Sequence, residues 1–146
     1  MSSELTVRKS VRVNATPARV WEALVNPALV KQYMFNSDVV CDWRVGSEII
    51  FKGLAGGKEV VFVKGKITKI EPEKVLQYTC FGPDSGLPDI SANYTTVTYE
   101  LRAEQGQTVV TASQGDFSGV GDGEKRCQDS LKGWDYALGG LKSVVE

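Results

Sequence analysis

From Asp122 to Glu146 the large apolar residues recur at helical intervals. Cys127, Leu131, Trp134, Leu138, Leu141 and Val145 follow one another in alternating steps of four and three residues. At about 100° per residue that spacing keeps all six in one narrow arc, so the stretch predicts an amphipathic helix. Lys125, Tyr136 and Ser143 lie opposite the arc, and Arg126, Asp129, Lys132 and Asp135 flank it. Gly133, Gly139 and Gly140 sit inside the helix although each costs about 1 kcal/mol relative to alanine. Two readings of them stand side by side: close approach of another backbone, or room left for a ligand.

The remainder reads mainly as strands. Leu5 to Val13 alternates, with Leu5, Val7, Val11 and Val13 on one side and Thr6, Arg8, Ser10 and Arg12 on the other, as in a half-buried strand. Thr16-Pro17 supplies a cap and a first-turn proline for a short helix with Val20, Trp21, Leu24 and Val25 on its dry face. Asn26-Pro27 repeats the signal and predicts a second helix, Ala28 to Tyr33, set at an angle to the first. Val39 to Trp43, Glu48 to Gly53, Glu59 to Ile70, Lys74 to Phe81, Tyr94 to Ala103 and Gln107 to Gln114 are rich in β-branched and aromatic residues, which predicts six more strands. Most separators are short, so consecutive strands are expected to be antiparallel. The exception is 82–93. Gly65 interrupts the longest strand, where a bulge is expected. The glycines at 115, 119, 121 and 123 do not fit a dinucleotide or P-loop spacing, because Glu124 and Arg126 occupy positions those motifs need. They read as a flexible linker into the terminal helix.

Composition narrows the chemistry. The 146 residues suit one domain, 1–146, large enough to bury roughly 70% of its unfolded surface without staples. With 17 basic and 18 acidic residues and no run of like charge, there is no footprint for nucleic acid or an anionic membrane. No segment reaches the about 20 apolar residues of a membrane span, and Met1 to Thr6 lacks the features of a signal peptide, so a cytosolic location is expected. Cys41, Cys80 and Cys127 are odd in number and lie in apolar patterns, which predicts buried, reduced thiols. There is no histidine, which excludes Ser-His-Asp and Cys-His nucleophiles, histidine bases and histidine-containing zinc sites. Asp116 and Asp122 lack calcium-loop spacing; no metal and no cofactor are expected.

The chain resembles the START-like (SRPBCC) helix-grip superfamily, and within it the family named after the activator of the heat-shock chaperone ATPase. The resemblance is carried by Thr16-Pro17-Ala18-Arg19-Val20-Trp21-Glu22-Ala23-Leu24, Asp42-Trp43-Arg44-Val45-Gly46-Ser47, Gly65-Lys66-Ile67 with Ile70-Glu71-Pro72, Val97-Thr98-Tyr99-Glu100-Leu101, and Gly133-Trp134 with Leu138, Leu141 and Lys142. It spans nearly the whole chain. It implies an α+β fold: a curved seven-stranded antiparallel sheet gripping the C-terminal helix, with two short helices after the first strand. The superfamily is known mainly for apolar cavities holding lipids, sterols, polyketides or other hydrophobic molecules; some members are cyclases or aromatases, and others bind protein partners. In such a fold 82–93 and the terminal helix would border the cavity mouth.

Leu131, Trp134, Leu138 and Leu141 are therefore the helix candidates for ligand contact, and Phe51, Phe62, Tyr78 and Tyr99 the sheet candidates. Each of them would equally serve as plain core. Tyr99 alternates with Val97 and Leu101 against Thr98, Glu100 and Arg102, so it is expected to face inward. A buried tyrosine hydroxyl needs a partner, which a ligand polar group would provide. An enzyme would need an acid or base in the cavity. Glu48, Glu59, Asp89 and Glu100 are available, of which Glu48 and Glu100 fall on polar faces and Asp89 in a loop. Three functions follow. The first is a single-domain protein binding a hydrophobic small molecule in a cavity between sheet and C-terminal helix, the second a polyketide-cyclase-like enzyme using a tyrosine or a carboxylate in the same cavity. The third is a co-chaperone with a protein partner, marked by a large exposed apolar patch.

Overall fold

The computed structural model describes residues 5–34, 36–83, 86–121 and 123–146. Asp122, the expected start of the terminal helix, and residues 84 and 85 of the long connection lie outside the described residues. The elements run β1 (Val7–Val13), α1 (Pro17–Val25), α2 (Pro27–Tyr33), β2 (Asp38–Cys41), β3 (Glu48–Ala55), β4 (Lys58–Glu71), β5 (Val75–Cys80), β6 (Thr95–Glu104), β7 (Gln107–Gly115) and α3 (Gly123–Val145). All seven strands form one antiparallel sheet in the order β1-β7-β6-β5-β4-β3-β2, so only the first strand pairs far from its sequence neighbours. This is the helix-grip architecture.

Local chemistry accounts for the joints. Thr16 Oγ1 accepts from the Arg19 amide at 3.3 Å and Asn26 Oδ1 from the Ala28 amide at 3.0 Å, capping two helices that each begin on proline. The Tyr33 hydroxyl donates to the Ala23 carbonyl at 2.7 Å and fixes the angle between them. Gly56 and Gly57 have φ of 61° and 80°, as the tight turn between β3 and β4 requires. Trp43, expected in β2, has φ of 56° and lies outside it, because the chain turns there with its amide on the Cys41 sulfur.

Three expectations need correction. Gly65 is not a bulge: a Cβ there would lie 1.6 Å from the Thr79 carbonyl oxygen, so the glycine permits β4 and β5 to close. The bulges fall on either side of it. Phe51 pairs with Val63 and Lys52 with Val61, which leaves Phe62 as the extra residue; Ile67 pairs with Tyr78 and Lys69 with Gln77, which leaves Thr68. The segment 116–121 is no flexible linker either. Phe117 and Val120 are buried, the Phe117 amide donates to the Leu5 carbonyl at 2.8 Å, and Asp116 Oδ1 accepts from the Ser118 amide at 2.8 Å. The third correction is Leu131, which is 40% exposed while Ala137 is 4% exposed. The buried arc of α3 is centred on Trp134 and Leu141 and turned toward Ala137, which carries Leu131 past its edge.

α3 packs on β1, α1 and α2. Its three glycines do different things. At Gly140 a Cβ would stand 2.8 Å from Tyr33 Cβ, so this glycine lets α2 and α3 touch; at Gly133 and Gly139 a Cβ meets nothing within 4 Å. Gly139 is exposed, but Gly133 is not. Gly140→Ala should therefore lower stability by ~1 to 3 kcal/mol through overpacking, whereas Gly133→Ala should raise it by up to ~1 kcal/mol through helix propensity. Chemical denaturation midpoints check both, and equal effects would contradict the packing described.

Candidate ligand-binding cavity

Under the first half of α3 the sheet and helix do not meet. Ser130, Gly133, Trp134 and Ala137 face Phe51 of β3, Phe62 and Val63 of β4, Tyr78 and Cys80 of β5, Val97 of β6 and Gln114 of β7 across a chamber of about 480 Å³. Met34 and Ser37, between α2 and β2, complete the lining. The volume falls in the range of small-molecule sites. No charged side chain lines the chamber among the described residues, so a charge placed there would lose water without gaining a counter-charge. Phe62 and Val63 are sequence neighbours that strict alternation would put on opposite faces. The bulge at Phe62 lets both reach the chamber.

A second chamber of about 300 Å³ adjoins the first and shares Val63, Cys80, Gln114 and Ser130 with it. Phe81, Leu87, Phe117 and Val120 give it apolar walls, and Arg126 and Asp129 stand at its lining. The connection after β5 closes over it. Lys64 pairs with Asp89, the Tyr94 hydroxyl donates to Asp89 Oδ1 at 2.6 Å, and the Tyr94 ring stacks on Phe81 at 5.1 Å. These two partners hold the Asp89 carboxyl below its usual range, the Lys64 bond being the larger cause.

Polar groups at the junction of the chambers are bonded to one another. The Trp134 indole N–H donates to Gln114 Oε1 at 2.9 Å, and Gln114 Nε2 donates to Thr95 Oγ1 at 2.9 Å and to Cys80 Sγ at 3.2 Å. Cys80 and Thr95 also meet at 3.2 Å. Burial pushes the Cys80 thiol up, and the bonds from Thr95 and Gln114 offset this only in part. Its residual accessibility comes from the two chambers it lines. All three cysteines are free and half-buried.

Of the eight ligand candidates, the fold gathers Phe51, Phe62, Tyr78 and Trp134 around the main chamber. Phe51 and Tyr78 sit 6.0 Å apart, centroid to centroid, and Tyr99 backs the wall, edge-on to Trp134 at 5.4 Å. Leu138 and Leu141 are buried further along α3, away from both chambers, and Leu131 faces outward. Tyr78 and Tyr99 hydrogen-bond to each other, which spends one of their two hydroxyl protons. Burial raises both well above the ordinary tyrosine range. The carboxylates of Glu48, Glu59, Asp89 and Glu100 are exposed. Sequence reading missed Ser130, Gly133 and Ala137, although they lie on the same turns as Trp134, because only large apolar residues were counted as marking the face. Gln114 was legible in principle, being two and four residues from the inward Ala112 and Val110.

Residues 14–146 match the family described as activator of Hsp90 ATPase homolog 1-like protein. The chain belongs to this family. ChR145 from Cytophaga hutchinsonii is similar at 38% identity over 97% of this chain and 94% of its own, with a TM-score of 0.80. Two further structures share the fold at 20% identity: CalU16 from Micromonospora echinospora and the Aha1 dimer from Colwellia psychrerythraea. CalU16 is matched over 97% of this chain and 76% of its own with a TM-score of 0.73; the Aha1 chain over 97% and 96% with a TM-score of 0.72. No curated protein matches the sequence. The fold is one that serves ligand-binding and polyketide-cyclase-like domains. Among the described residues no helix is long and apolar enough to cross a membrane.

The Cys80 environment sets a pH dependence. A thiol that keeps its proton in the folded state, at a pH where the unfolded chain has released it, adds stability below about pH 8.5 that is lost as pH rises through the folded pKa. Between pH 8.5 and 10 the wild type should therefore lose stability more steeply than Cys80→Ala. Urea titrations at stepped pH check this, and parallel slopes would contradict the burial of the sulfur.

Proposed function

We propose that this protein binds an apolar small molecule between its sheet and the N-terminal half of α3, with Phe51, Phe62, Tyr78 and Trp134 as contact residues and Tyr99 behind them. The observation that carries this reading is the 480 Å³ chamber with four aromatic side chains and no charged one in its lining. Gly133 adds to it. A helix accepts the propensity cost of a glycine whose missing side chain would have entered open space, and that space is the chamber.

Binding is favoured over catalysis by the same lining. A cyclase-like enzyme needs a group that gives or takes a proton near neutrality. The tyrosines of the wall are pushed up, away from that range, and no carboxylate lines the main chamber among the described residues.

Filling the chamber from the helix side tests the proposal. Wild type and Gly133→Ala should bind the neutral dye N-phenyl-1-naphthylamine, whereas Gly133→Leu should bind it at least tenfold more weakly with an unchanged or higher denaturation midpoint. Native mass spectrometry of the purified proteins should show a co-purified apolar compound in the wild type and none in Gly133→Leu. Equal dye binding by Gly133→Leu and wild type, or none by the wild type, would overturn the proposal.

A further inference from the structure

The junction between the two chambers has hydrogen-bond capacity left over. Gln114 has committed both amide protons, to Thr95 and Cys80, and its oxygen accepts from Trp134. Cys80 and Thr95 carry one proton each and share one contact, so one of the two protons, on sulfur or on oxygen, has no further acceptor among the described residues. Ser130, half-buried and lining both chambers, has no side-chain hydrogen bond among the described residues. The junction thus offers two donors, one from α3 and one from the β5–β6 pair, facing the same space. The junction also keeps acceptors, Ser130 Oγ and the second lone pair of Gln114 Oε1.

We infer that the ligand is an elongated molecule with a carbonyl oxygen near its middle, held at the junction by Ser130 and the Cys80–Thr95 pair, with an uncharged, apolar arm in the main chamber and a second arm in the adjoining one. This rests on the cavity being a binding site, as proposed above. A carbonyl fits because its single oxygen can accept from both donors at once, one from α3 and one from the β5–β6 pair. Lack of charge on the first arm follows from the lining of the main chamber. Two arms follow from the chambers themselves, which lie on either side of the shared residues Val63, Cys80, Gln114 and Ser130, the main one apolar and the second with Arg126 and Asp129 at its lining. A hydrocarbon of the same shape would leave the donors buried and unpaired.

The test uses three molecules of one shape, 1,3-diphenylpropane, 1,3-diphenylpropan-2-ol and 1,3-diphenylpropan-2-one, displacing N-phenyl-1-naphthylamine from wild type and from Ser130→Ala. The ketone should bind roughly 3- to 10-fold more tightly than the hydrocarbon, with the alcohol between them. In Ser130→Ala the advantage should fall to about twofold or less, while the hydrocarbon binds as before. With the ketone labelled with carbon-13 at the carbonyl, its stretching frequency should be lower in wild type than in Ser130→Ala, a shift that a merely structural serine would not produce. Equal affinity for ketone and hydrocarbon would overturn the inference and leave the cavity reading standing. Failure of all three to displace bound dye would likewise overturn the inference alone, whereas absence of dye binding by the wild type would overturn both. A ketone preference and carbonyl frequency unchanged by Ser130→Ala would overturn the role given to that residue.

Discussion

One helix has to cover a sheet of seven strands, and it does so with two unlike halves. From Leu138 onward α3 carries large side chains that are fully or nearly fully buried, and Gly140 lets it rest against Tyr33 of α2. Before that point its inward residues are Ser130, Gly133 and Ala137, too small to reach the sheet, with Trp134 as the one long contact. The chamber is the volume those small residues leave. Close packing at one end supplies the stability that lets the other end stay open, since an unfilled space forfeits contacts that a filled one would have.

Trp134 bridges the two halves. Its ring meets Tyr99 edge-on and its N–H is spent on Gln114, which in turn holds Thr95 and Cys80. A buried indole N–H without a partner would be expensive, so the orientation of the ring is fixed by strand β7 as well as by its own helix. That arrangement fixes the helix over the sheet at the place where least else holds it. Wall and polar junction are thus one connected set of bonds.

The fold was legible because alternation and helical spacing are strong signals over long segments, and because Thr16-Pro17, Asn26-Pro27 and Gly56-Gly57 mark joints by their chemistry. The site was legible only in its large members. Phe51, Phe62, Tyr78 and Trp134 announce themselves as apolar, but Ser130, Gly133 and Ala137 matter for what they lack, and a pattern of apolar residues does not register an absence. Leu131 shows the opposite failure: a steps-of-four-and-three seam drifts around a helix, and the sequence alone does not say which edge of the drift is buried. The contact between the Tyr78 and Tyr99 hydroxyls was not legible for a third reason: it crosses β5 and β6, and pairing between strands that far apart in sequence depends on a register that the connection 82–93 does not reveal.

The Phe62 bulge lies where the sheet thins. Beyond the Lys64–Phe81 bridge, β4 pairs with β3 alone, and the two run out as a ribbon to the glycine turn. Gly53 opposes this bend with no side chain, and a Cβ there would lie 2.8 Å from the Phe62 ring. The ring therefore has a smooth floor beneath it and an extra residue of slack behind it, while Phe51 and Tyr78 are set in paired strands. Of the aromatic walls, this is the one whose rotation asks least of the backbone. On this side the chamber is bounded by one ring resting on a glycine at the thin edge of the sheet, so its width there depends on the torsion of a single side chain rather than on the pairing of any strand.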